Sequence, residues 1–146
     1  MKLLFHVAVT SVGLASLVMT TPAAQAELPP YVYADMQRQA EVVVRLKVLQ
    51  TRRSENELTV QARVLTVTRQ PVSGTLRRGQ DLGLRYSLPI WHRQGWVGPS
   101  PVPVLKPGEQ VTAWLNRESP TSAWFRPAAG GHSFGPAVEA MPTDQP

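Results

Sequence analysis

Gly131-His132-Ser133-Phe134-Gly135 is the string most suggestive of catalysis. It has the G-x-S-x-G form that sets a serine on a tight strand-to-helix turn, where a histidine and an acid can activate it for acyl transfer. The rest of that machinery is missing. The residues after Gly135 include Glu139 and Asp144 but no His. No strand-helix-strand pattern precedes the string. His132 adjoins Ser133 in sequence, which is not the geometry of a base poised on an oxygen. The expected role is a Gly-rich cap on a barrel, with Phe134 packed inward.

Metal and carboxylate chemistry is thinner still. Cys is absent. Beyond the amino-terminal segment only His92 and His132 remain, and nothing has ligand spacing, so no metal site or cofactor is implied. Glu55 and Glu57 lie in turn chemistry and read as solvated.

Binding chemistry is better represented. Ile90 to Trp96 places Trp91, His92, Arg93 and Trp96 within seven positions. Trp and Arg are the residues most enriched where binding energy concentrates. The same two indoles would also serve to cover an open barrel end. Arg77, Arg78 and Arg85 lie near Arg93 in sequence, and together they form a candidate basic patch. These seven residues, Trp91, His92, Arg93, Trp96, Arg77, Arg78 and Arg85, are the expected binding set.

The elements that must position them read as follows. Lys2, an apolar run from Leu3 to Met19, the break at Thr20-Thr21-Pro22 and the small-x-small Ala24-Gln25-Ala26 form a secretory leader, residues 1–26. The run is short for a spanning helix and has no basic stop-transfer cluster behind it. No later segment approaches spanning length. An exported chain, periplasmic or extracellular, of about 120 residues is expected, which is one domain by size. Without Cys it has no lipid-anchored amino terminus and must be held by core packing. The formal charge of the full chain is +5, with Arg dominating the cations. Such a surface suits an envelope protein or an anionic polysaccharide, and export makes nucleic acid an unexpected partner.

Glu27 to Tyr33, with Pro29 and Pro30, reads as an extended lead-in, and 35–40 as a short helix. Residues 41–51 alternate Val42, Val44, Leu46 and Val48 with Val43, Arg45, Lys47 and Leu49, which reads as a half-buried strand. Residues 58–69 form a second: Leu58, Val60, Ala62 and Val64 face one way, then Leu65 and Val67 take the other parity. That slip predicts a bulge or bend. The polar link between the two makes a hairpin. Further strands are expected at 81–88, 109–116 and, briefly, 123–126. The domain spans 27–135 and a flexible tail spans 136–146.

Five strands, one with a phase slip, point to a small antiparallel barrel that closes its own edges. A two-sheet sandwich is the alternative, though it usually wants about seven strands. The segments ADMQRQAEVVVRLKVL (34–49), LRRGQDLGL (76–84) and LKPGEQVTAWL (105–115) resemble the netrin-like, or tissue-inhibitor-of-metalloprotease-like, group of OB-fold barrels. The resemblance implies a barrel. Zinc chelation by an amino-terminal Cys, which that group's protease inhibitors use, has no counterpart here. The expected function is therefore a non-enzymatic binding or interaction module. A structural envelope component and a small hydrolase using Ser133 are the alternatives.

Overall fold

A computed structural model of the chain describes residues 28–88 and 100–139. Residues 1–27, which include the expected leader, residues 89–99 with the Trp91–Trp96 cluster, and residues 140–146 lie outside the described residues. Among the described residues, no helix is long and apolar enough to cross a membrane.

The sheet is a closed five-stranded barrel. Its strands are β1 (Val42–Ser54), β2 (Glu57–Arg69), β3 (Asp81–Ser87), β4 (Gln110–Arg117) and β5 (Trp124–Pro127), in the order β1-β2-β3-β5-β4. Closure onto β1 through β4 replaces the sandwich alternative. One pairing departs from the expected antiparallel pattern: β5 runs parallel to β3, joined only at Gly83↔Trp124 and Leu84↔Phe125. In a closed ring of five strands whose other four pairings are antiparallel, the fifth pairing must be parallel.

Period-two apolar patterning makes the interior. Val44, Leu46 and Val48 of β1 meet Leu58, Val60, Ala62 and Val64 of β2. Leu84, Ala113, Leu115 and Phe125 complete the lining, and all are buried. A barrel this small is filled by its own side chains. Leu76, Leu88 and Leu105, from the connections, join the same core.

The predicted slip in β2 is a bulge at Leu65. Leu46 pairs with Val64 and Arg45 with Thr66, leaving Leu65 unpaired, and burial changes phase there. A further bulge, in β1, was not anticipated: Val48 pairs with Ala62 and Gln50 with Gln61, so Leu49 has no partner in β2. Each bulge sharpens the twist of a long strand. That lets β1 pair with both β2 and β4.

The helix is longer than predicted. α1 spans Pro30–Gln39, and the stretch read as extended is its first turn. Proline at the first helical position loses no bond, because that N–H would be unpaired anyway, and its fixed φ suits the helix. Tyr33, Ala34 and Gln37 form the buried face. Buried Gln37 clamps the end of the chain. Its Nε2 donates to the carbonyls of His132 (2.8 Å) and Pro136 (3.2 Å), and its Oε1 accepts the N–H of Val138 (2.7 Å). Ordered contacts thus run past Gly135, the expected boundary of the domain, as far as Val138. The Tyr33 hydroxyl accepts the N–H of Ser100 (2.6 Å), fixing the β3–β4 connection to the same helix.

Candidate functional site

The shortest ladder of the barrel joins β3 to β5. Their ladder stops at Leu84↔Phe125, so Arg85, Tyr86 and Ser87 continue beside β2 without a partner on β5. An open groove of about 370 Å³ lies there, lined by Glu57, Arg85, Ser87, Glu118 and Arg126, with Tyr86, Val102 and Pro127 as its apolar surface. Two turns frame it. The β1–β2 turn carries Asn56, whose carbonyl accepts the N–H of Leu88 (2.6 Å) at the end of β3. The β4–β5 turn carries Glu118.

Arg85 organises the charges. Its guanidinium lies over the Trp124 ring, 4.5 Å from the centroid. Nη1 is 3.6 Å from Glu118 and Nε is 3.9 Å from Glu57. Gly83 makes room for this stack: a Cβ there would meet the Trp124 ring at 2.5 Å. The β4–β5 turn is held by its own bonds. The Ser122 hydroxyl donates to Glu118 (3.2 Å) and accepts the N–H of Trp124 (3.0 Å), while Arg117 donates to the Ser122 carbonyl (2.9 Å). The groove lip is thus pre-formed.

Tyr86 points into the core and its hydroxyl donates to the Pro103 carbonyl (2.9 Å). Burial pushes the phenol up to about 12, with a smaller opposing effect from the Leu105 backbone. On the neighbouring stretch of sheet, Arg63 grips Asp81 across β2 and β3 at 2.8 Å. Its hydrogen bond holds the Asp81 carboxyl below the usual range.

The predicted binding residues separate. Arg85 faces outward, opposite in parity to Leu84 and Tyr86 as expected, but it stands between two carboxylates and an indole. Arg77 and Arg78 are exposed in the β2–β3 connection. From Asp81 to Arg85 is four strand residues, roughly 13 Å, so the two arginines of the connection sit well away from Arg85 along the strand. Trp91, His92, Arg93 and Trp96 lie outside the described residues. Glu57, read as a solvated turn residue, stands at the groove beside Arg85. Glu118, Trp124 and Arg126 were missed. β5 is four residues long, too short for its alternation to announce which side chains face out.

Ser133 is fully buried in a short 3-10 turn (Gly130–Ser133), and its Oγ accepts the N–H of Ala129 at 2.7 Å. The hydroxyl closes a turn and has no open face. Phe134 packs against the core and bridges to Ala113, the capping role expected of this segment. The His132 ring lies 4.3 Å from that of Tyr33. Among the described residues, no three His, Asp or Glu side chains come together as a metal site. Comparison of the chain with models of known protein families and with curated proteins gives no match.

Proposed function

We propose that the chain is an exported, non-enzymatic interaction module built on an OB-type barrel, which holds an extended polypeptide segment in the groove between β3 and β5. The strand order β1-β2-β3-β5-β4 with its parallel β3·β5 contact supports the OB assignment. OB barrels bind along the β2–β3 face, between the β1–β2 and β4–β5 loops, and the groove lies between those loops here.

One observation carries the choice of ligand. β3 runs on past its last pairing with β5, and a strand edge without a neighbour takes a further strand through backbone hydrogen bonds. The charges agree. Glu57 and Glu118 balance Arg85 and Arg126, so a polyanion gains no net attraction in this groove, while a polypeptide of mixed charge finds partners of both signs. The buried Ser133 hydroxyl supports the non-enzymatic reading. The leader pattern of residues 1–26 supports export, and with it a partner in the envelope or beyond.

The test reverses charge at the groove. Pull-down from an envelope extract with Arg126→Glu should lose a polypeptide that the unaltered chain retains, whereas the distant Arg38→Glu should retain it. Equal retention by all three would overturn the assignment of the groove.

A further inference from the structure

A second surface lies on the outside of the barrel, along β1. Arg45 and Lys47 point outward by simple alternation. Arg52 would not: strict alternation from Lys47 puts residues 49, 51 and 53 outside. The bulge at Leu49 resets the phase. Gln50 then pairs with Gln61 and Arg52 with Thr59, positions of β2 that alternate with the buried Val60 and Ala62. Arg45, Lys47 and Arg52 therefore share one face, and all three are exposed. At about 3.3 Å per residue the row extends roughly 20 Å.

The neighbours of this row are uncharged or basic. Arg45 lies between Thr66 and Thr112; Lys47 lies between Arg63 and Gln110. Three acids of the adjoining strands and connections have partners of their own. Asp81 is gripped by Arg63, Glu57 lies beside Arg85, and a Glu109 oxygen accepts the N–H of Lys106. Lys47 stands directly opposite Arg63, whose charge Asp81 balances, and among the described residues no ion pair engages Arg45, Lys47 or Arg52. Strand edges carry such charges to block pairing, but β1 is paired on both sides in a closed barrel. That purpose does not apply here. An anionic ligand would supply the acids that these three cations lack.

We propose that this outer face of β1 is a binding surface for a linear polyanion, a polysaccharide bearing carboxylate or sulfate groups along its length. Cations spaced along a straight strand match charges spaced along a chain. Leu49, exposed at the bulge, is the one large apolar side chain in the stretch from Arg45 to Arg52 that reaches solvent, too little for the apolar face a membrane surface would use. The surface is separate from the β3–β5 groove, and either can exist without the other.

The probes are polygalacturonate and heparin, with the purified mature chain. The triple variant Arg45→Gln/Lys47→Gln/Arg52→Gln should bind at least about tenfold more weakly and show a shallower loss of affinity with salt. A control with equal charge loss, Arg38→Gln/Arg77→Gln/Arg78→Gln, should stay within about twofold of the unaltered chain. Thermal unfolding checks that both variants fold. If the triple variant does not, the single variants Arg45→Gln and Lys47→Gln each carry the comparison, at about two- to threefold. Equal losses in test and control would reduce the effect to net charge and overturn the proposal. So would absence of binding to both polymers, or binding confined to phosphatidylglycerol vesicles.

Discussion

Gly83 shows how much of the site depends on one missing atom. The Trp124 ring occupies the space a Cβ would need, so Gly83→Ala must push the indole outward and break its stack with Arg85. Overpacking of this kind costs about 1–3 kcal/mol; chemical denaturation should register it, together with weaker ligand binding at the groove. Ser133 is the opposite case, an atom present for structure. Ser133→Ala leaves the Ala129 N–H without its acceptor at a fully buried turn, and a loss of about 1–3 kcal/mol is expected. Ester hydrolysis by the unaltered chain should be undetectable; measurable activity that Ser133→Ala abolishes would restore the hydrolase alternative. Tyr86 gives the fold an alkaline limit. Its proton is held more tightly in the folded chain than in the unfolded one, where a phenol titrates near 10. The stability this contributes is complete below about pH 10 and declines as pH rises toward 12. In denaturation at a series of pH values, Tyr86→Phe should be less stable at neutral pH and should flatten that decline.

The elements differ in how readable they are. β1, β2 and β4 announce themselves because their inward residues are apolar at period two, and the bulge at Leu65 is legible because the apolar parity changes there, from Leu58, Val60, Ala62 and Val64 to Leu65 and Val67. The bulge at Leu49 is not, since the residues after it are polar on both faces and parity leaves no trace. With it, the position of Arg52 is also hidden. Helix α1 hides its start because Pro29-Pro30 serves an extended chain and a first helical turn equally well. Its anchoring is hidden too: Gln37 reaches residues nearly a hundred positions away, and no local pattern encodes that. Removing this clamp gives the element-scale prediction. In Gln37→Ala the amides around Val138 should exchange with solvent far faster, while those of Val60 and Ala62 at the barrel centre keep their protection. Uniform acceleration would mean that helix and barrel unfold as one unit.

At the scale of the whole molecule, closure explains how a domain without a disulfide holds together. Every strand is paired on both sides, and the shortest seam, the two residue pairs between β3 and β5, is where the groove opens. Stability and binding thus meet at one place. β3 must be held by β2 for the barrel to exist, while its other edge is left with only two pairings. The barrel is written in local patterns but the groove is not, because it arises from Glu57, Arg85, Glu118 and Arg126 on four different elements, brought together by the place of β5 between β3 and β4. The most direct test places a photo-cross-linking amino acid at Ser87, on the exposed continuation of β3, and another at Val72, which is fully exposed in the β2–β3 connection. Irradiation in the native envelope should give a discrete polypeptide adduct from position 87 and none from position 72. Adducts of equal yield at both positions, or none at 87, would contradict the assignment of this seam as the binding site.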